Sequence, residues 1–514
     1  MLKSILKRLG LRAGMIRHES VTHVVVTSLL AALVLLGPVR FGGVLPPERA
    51  ILDTMAFLAL AVVLLRYPRL APLRPALAPA LALAFVAVIG LLQSTPNPLT
   101  HLLSPRSAEI WSESRSLLAG SSADPTDSWW LPISLAPSAS RVAAVHWLAV
   151  TAALLAAASA GAQRGARRLL GVALALSGVF QVLYGASAWS RQKAEILGVE
   201  VPGDPGRLRG TFVNPDHFAF FMGLAVALAF AWLWWAVRRL VARKVSMEVA
   251  SVRLAVALLL FFLAFIGLGL SGSRSGLLAA LAALTVQGGV LADKYRRWRG
   301  ATWGITGVAL AGITFVLFGY RNFLGRWMET SAYELGWNAR VGTWRDTLEL
   351  WLAFPLTGSG LGSFRFAFPI TQSSGSDLTW LHAHSDWLEL LATVGLPAVL
   401  FFLAGASILL RRLWSTTRRG RRSEDRAFAL GALGAVVYAA FHSMADFGLT
   451  LPANAFALAI LCGAALGIPT GRRPKQRSGL TFHLEDRESA SLLAERPNTS
   501  GRDSSRTDER PIRE

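Results

Sequence analysis

The chain has 514 residues, 53% of them hydrophobic and 16% charged, with a formal net charge of +21 from 52 Lys and Arg against 31 Asp and Glu. So few charged groups cannot cover the surface of so apolar a chain, which excludes intrinsic disorder and argues against a single water-soluble domain. The basic excess suggests nucleic acid in a soluble protein, but in a membrane protein it can record which side of the bilayer each loop occupies.

At the N-terminus (residues 1–20), Leu2–Leu11 interleaves Lys3, Lys7 and Arg8 with apolar residues and reads as an amphipathic segment in the membrane interface. No small-residue cleavage site follows the first apolar stretch, so a cleaved signal peptide is not expected. A membrane domain over residues 21–468 then holds about twelve apolar stretches, each near the ~20 residues that a spanning helix needs. They are Val24–Val39, Ala50–Leu65, Ala76–Leu92, Val142–Ala162, Leu169–Trp189, Phe218–Val237, Leu254–Leu270, Leu277–Leu291, Thr302–Phe318, Trp387–Leu410, Ala427–Phe447 and Ala453–Ile468. Leu, Ala and Val dominate without period-2 alternation, so an all-α polytopic membrane protein is predicted rather than a barrel. Only Gln181 and His146 stand out as polar groups at mid-span. The tail, residues 469–514, mixes charged and small residues and reads as disordered.

Twelve spans sort the connections into two alternating sets. The set with both termini carries 37 basic and 13 acidic residues, a net of +24, and everything else carries 15 and 18, a net of −3. The excess is therefore one-sided, which predicts cytoplasmic N- and C-termini and no role in nucleic-acid binding. Two outer segments are long. Residues 93–141 contain Trp129–Trp130, and residues 319–386, between the ninth and tenth spans, contain an amphipathic stretch, Asn338–Phe354. There Trp344, Leu348 and Trp351 recur at helical spacing, and Pro355 ends it.

Four polar clusters fall on the outer side. Arg207-Leu-Arg209-Gly-Thr-Phe-Val-Asn214-Pro-Asp216-His217 leads into the sixth span and, taken alone, reads first as a polar helix cap built by Asn214 and Pro215, with Asp216 near the positive helix end. Ser271-Gly-Ser273-Arg274-Ser275-Gly276 is a short hairpin that sets Arg274 at a helix N-terminus, where a guanidinium and free N–H groups form an anion site; snorkelling to lipid phosphates is the other reading. Arg340 shares a helix face with Trp344, whereas Arg345 is expected to pair with Glu349 at i, i+4. The following Gly358-Ser-Gly360-Leu-Gly362 lacks the strand and the Lys-Ser/Thr of a phosphate loop and reads as a tight turn that lets the Arg340 helix fold back. In His382-Ala-His384-Ser385-Asp386-Trp-Leu-Glu389, His384 precedes two acids on one helical face and can act as a general base or as a phosphate ligand. His442 and Asp446, one turn apart, either line the same cavity or mark where a helix leaves the lipid, and the second reading is preferred. Two histidines two residues apart do not make a metal site, and the single cysteine, Cys462, excludes an intrachain disulfide.

Together these residues resemble the O-antigen ligase and polymerase family of membrane glycosyltransferases. The resemblance rests on Arg-Gly-Thr-Phe-x-Asn-Pro at 209–215, Arg-x-x-x-Leu at Arg274–Leu278, Pro-Leu-Thr-Gly-x-Gly-Leu-Gly-x-Phe at 355–364, and His-Ser-x9-Gly at His384–Gly395. Ala398 stands where the family has a second glycine, and Asp216 where it more often has Asn. The resemblance implies a GT-C-like fold of about 12 helices in the inner membrane, with a large periplasmic loop between helices 9 and 10 and an active site facing the periplasm. It implies a glycan donor on undecaprenyl diphosphate, and an acceptor that is lipid A core or another lipid-linked glycan. No metal or cofactor is implied. The family's paired arginines and histidine map onto Arg274, Arg340 and His384, with Arg209, Asn214 and Glu389 expected to bind diphosphate or glycan. Ligase and polymerase share this donor chemistry. A transporter of the same lipid would place more polar groups at mid-membrane depth.

Overall fold

The computed structural model describes residues 21–66, 72–119, 130–202, 204–242, 246–294, 340–373 and 379–470, with Gly307 and Gly312 as isolated positions. The expected segment Leu2–Leu11, the span Thr302–Phe318, Trp129 and the tail from Gly471 lie outside the described residues.

Helices are α1 (Val21–Leu36), α2 (Pro46–Arg66), α3 (Leu77–Ser94), α4 (Pro105–Ala119), α5 (Pro137–Gly161), α6 (Arg164–Ser190), α7 (Pro215–Val241), α8 (Met247–Leu270), α9 (Arg274–Lys294), α10 (Arg340–Ala353), α11 (Asp386–Arg419), α12 (Ser423–His442) and α13 (Pro452–Leu466). Strand is confined, among the described residues, to a hairpin of Glu195–Ile196 with Val199–Glu200. The protein is an all-α polytopic membrane protein, and each expected span within the described residues is occupied by a helix. Seven of these helices are long and apolar enough to cross a membrane by length and composition.

Burial separates their roles. The apolar window of α7 is 83% buried and that of α8 is 28% buried, so α7 is the central pole and α8 lies on the outside. Helix α7 packs between α8 and α12, while α5 packs against α3, α2 and α13. Gly223 lets α12 approach closely: a Cβ there would lie 1.9 Å from the Tyr438 ring, whose hydroxyl donates to the Ala219 carbonyl at 2.8 Å.

The spans hold more polar groups than Gln181 and His146. Gln93, Gln287, Asn454 and the Asp53–His146 pair are also buried, each bonded within the protein. Periodicity does not reveal them, because an amide with two partners is tolerated in an apolar helix. Gln287, for example, donates to Ala227 O and Leu430 O at 2.9 and 3.0 Å and ties α9 to α7 and α12.

Helix α11 is broken at Gly395, which has φ +77° and ψ 168°. Pro397 has no N–H to offer the Thr393 carbonyl, so the helix ladder is interrupted there. The glycine-rich turn 355–364 fills the gap. Thr393 O accepts Gly360 N–H at 3.0 Å and the Gln93 amide at 2.9 Å, Ala392 O accepts Ser359 N–H at 2.9 Å, and Leu396 N–H donates to Pro355 O at 3.0 Å. A Cβ on Gly395 would sit 2.2 Å from the Leu356 carbonyl oxygen. The turn is thus a strap that supplies the backbone partners of a broken helix, a more specific role than folding α10 back.

The expected amphipathic stretch is helix α10, ended by Pro355, and Arg345 pairs with Glu349 at 3.1 Å as its spacing predicts. Its buried face is Thr343, Asp346, Thr347 and Leu350 rather than the aromatic stripe. Asp346 carries that choice: its carboxylate accepts the Ser373 N–H and hydroxyl at 2.8 and 2.9 Å.

Candidate active site

One end of the bundle gathers the four polar clusters. Asn214 caps α7, its Oδ1 accepting the Asp216 N–H at 2.8 Å, which fixes Asp216 in the first turn. Asp216 Oδ1 accepts from Arg207 Nη2 at 2.8 Å, and its Oδ2 lies 3.6 Å from Arg340 Nη2 on α10. Arg207 also donates to the Ser271 carbonyl at 2.7 Å, and the Ser273 hydroxyl bonds Asp216, so the hairpin before α9 is tied to the same carboxylate. Arg274 opens α9 beside that hairpin and is partly exposed. Arg340, without a helical partner in the sequence, finds Asp216 across the helix interface and also donates to Ala445 O at 3.3 Å.

Arg209 and Arg207 divide the labour differently from the sequence expectation. Arg209 is buried and spends its guanidinium on three backbone carbonyls, Pro202 and Val213 through Nη1 and Asp204 through Nη2. Burial, with Arg207 beside it and despite Asp204, holds its pKa below the usual arginine range. Thr211 of the same motif is locked to the Gln181 side chain and to Pro38 O. The Arg-Gly-Thr-Phe motif therefore shapes the loop, and Arg207 is the arginine that joins the acid.

His384 has a left-handed backbone, φ +52°, an uncommon state for a residue with a Cβ. Such strain persists where the surroundings fix it, and here they do: Trp344 Nε1 donates to the His384 carbonyl at 3.3 Å, and its ring stands edge-on to Trp380 and Phe447. Burial first, then Arg340, His382 and His217, push its pKa down to about 4 against the pull of Asp216. Nδ1 of His384 is buried without a hydrogen-bond partner.

The acid next to it serves another histidine. Glu389 accepts from His382 Nδ1 at 3.0 Å and from the Ala383 N–H at 3.0 Å. Burial opposes charge on His382, yet Glu389 outweighs it, and the His382 pKa is raised. Spacing alone had set His384 between Asp386 and Glu389. The turn instead points His382 at Glu389, and Asp386 turns away to the Ser443 hydroxyl and the Leu449 N–H.

Phe447 is the hub: His382 stacks on it at 4.2 Å between centroids, and His217 and His384 meet it edge-on at 4.5 and 5.1 Å. His442 and Asp446 are fully buried beneath it and lie within electrostatic range of Asp216 and Arg340. They belong to this cluster and do not mark a lipid boundary; helical spacing tells which residues share a face but not what the face meets. No group of three or more His, Cys, Asp or Glu suited to a metal ion occurs among the described residues. A small apolar crevice of about 20 Å³ between α6, α7 and α8, lined by Gly178, Ala225 and Leu260 among others, carries no polar side chain and lies outside the cluster.

Arg274, Arg340, the strap, His384 and Glu389 all lie within residues 259–403, which match the family model Wzy_C, described as O-Antigen ligase. That segment, a little over a quarter of the chain, is similar to the O-antigen ligase family. The match supports, at family level, a ligase- or polymerase-type membrane enzyme. The Arg207–Asp216 and His442–Asp446 groups fall on either side of the matched segment, yet the fold brings them to it. No curated protein matches the chain.

Proposed function

We propose that the chain is a ligase-type glycosyltransferase that moves a glycan from undecaprenyl diphosphate to an acceptor hydroxyl, such as one on lipid A core. The reaction runs at the periplasmic face of the inner membrane, by inversion and without a metal. The observation that carries this reading is a histidine held uncharged near neutral pH, His384, in the field of a guanidinium whose side chain is 41% exposed, Arg340. A base must be free of its proton before it can take one, and a cation must be reachable to meet a leaving diphosphate.

In this reading the acceptor oxygen attacks the anomeric carbon as the bond from that carbon to the diphosphate oxygen breaks on the opposite face. The electron pair leaves with the diphosphate, and His384 takes the hydroxyl proton. Arg340 and Arg274 meet the growing negative charge, each such donor lowering the barrier by about 3 kcal/mol. Arg209, Asn214 and Glu389 act behind them, since their hydrogen bonds hold the loop, the α7 cap and the His382 turn. The one-sided charge count supports cytoplasmic termini with this site on the other side.

A polymerase is the second reading, favoured by the first long outer segment. Its described part includes α4, and its Leu135 N–H donates to Ser359 O at 2.9 Å on the strap, which in this reading sets it beside the site as a wall for a second glycan. The test is transfer in vitro by purified protein from a polyprenyl-diphosphate glycan to two competing acceptors, lipid A core and a lipid-linked repeat unit. One transfer per core acceptor is expected; a ladder of products means polymerase, and transfer to neither overturns both.

A further inference from the structure

The Arg207–Asp216–Arg340 arrangement is an anion site already holding an anion. Asp216 is buried and has a guanidinium on each carboxylate oxygen, but the two are not equivalent. Arg207 is 13% exposed, bonds Asp216 at 2.8 Å and is anchored a second time on the Ser271 carbonyl, so it is fixed. Arg340 is 41% exposed, lies at 3.6 Å, beyond hydrogen-bond length, and among the described residues donates to one carbonyl at 3.3 Å. A charge pair that loose and that wet contributes little stability. It does, however, offset most of the field that Arg340 would show to an arriving anion.

We propose that Asp216 is a built-in counter-ion, parked on Arg340 when no donor is bound and displaced from it by a phosphate of the donor. This inference rests on the reading of Arg340 as a diphosphate ligand. A diphosphate brings more negative charge than one carboxylate and accepts from both guanidinium arms, so it wins the exchange. Asp216 stays neutralised by Arg207 and the Ser273 hydroxyl, and no buried acid is stranded. The device lowers the affinity of Arg340 for any phosphate group, and because the spent carrier leaves as a diphosphate, the returning Asp216 carboxylate competes with it and favours its release. Asp216 acts through Arg340, and is a positioning residue.

Inorganic pyrophosphate is the probe, titrated into purified full-length protein in nanodiscs and followed by calorimetry. Asp216→Asn keeps size and hydrogen bonding but removes the charge, and its Kd for pyrophosphate is expected to fall about fivefold, the scale of a partly exposed ion pair. A purely structural Asp216 would leave Kd unchanged or raise it, and either outcome overturns the proposal. Where the Asn variant does not fold, Asp216→Ser, with an uncharged acceptor, carries the same expectation. Arg340→Ala separates the two layers: a raised Kd supports Arg340 as ligand whatever Asp216 does, and an unchanged Kd removes that reading and this inference together.

Discussion

The two ends of the bundle treat buried charge in opposite ways. At one end, Arg167 and Asp425, with side chains 5% and 6% exposed, bond at 2.6 Å, Arg167 also donates to Gly161 O, and Arg164 and Arg168 both close on Glu424. These loops, which the charge count assigns to one side, are pinned together by close ion pairs. At the other end, His217, His384, Asp386 and His442 keep buried ring or carboxylate atoms without protein partners, around an arginine held at 3.6 Å. Native proteins rarely tolerate such groups without a use for them. Close acid–base pairing belongs to architecture, and a cluster of unpartnered histidine and carboxylate atoms to the place where a polar ligand completes it.

That contrast can be broken by mutation. His384→Ala is expected to cut glycan transfer by about 10³-fold while the melting temperature of the purified protein hardly moves, since a positioned base contributes on that scale; retention of full transfer would remove His384 from the chemistry. Arg167→Ala, at the other end, should do the reverse: thermal unfolding reports a loss of about 3 kcal/mol from a stranded buried carboxylate, with turnover per folded molecule preserved. Gly395→Ala, between the two, puts a methyl group against the Leu356 carbonyl at positive φ and should cost about 2 kcal/mol and loosen the strap, read out as faster hydrogen exchange at Ser359 and Gly360.

The mildest test is pH. His384 is lowered by burial and by Arg340 to about 4, so it stays neutral as pH falls through 6.5, and kcat/KM, which reports the free enzyme, should fall only as pH approaches 4. Bound diphosphate favours the protonated ring, so the same limb in kcat should lie at higher pH. A single limb near 6.5 in both would mean that His384 is not in the environment described.

Much of this was legible in the sequence, and what was not has a physical cause. Runs of Leu, Ala and Val located the helices because burial in lipid needs length and apolarity alone, and Arg345–Glu349 was legible because it is local. Arg207 against Arg209 was not: alternate residues of a loop face opposite ways, and only the fold says which way leads to Asp216. Glu389 paired with His382 instead of His384 because the left-handed turn at His384 reverses the chain, and no spacing rule registers a positive φ on histidine. His442 and Asp446 looked marginal since they end a helix, yet Phe220 of α7 meets the His442 ring and Asp386 at the start of α11 donates its N–H to Asp446 O.

The break in α11 has a mechanical consequence. Asp386–Leu396, which carries Glu389 and follows His384, is fastened to the strap and to Gln93, whereas the long half from Pro397 to Arg419 carries the exposed side chains Leu400, Phe401 and Leu403. A continuous helix would pass any change of tilt straight to the histidines. With the ladder cut at Gly395, the long half can follow the thickness of the bilayer while the short half stays in register with α10. Transfer should therefore be nearly indifferent to lipid chain length in the native protein and sensitive to it in Gly395→Ala, which makes the glycine a joint that insulates the chemistry from the membrane in which it works.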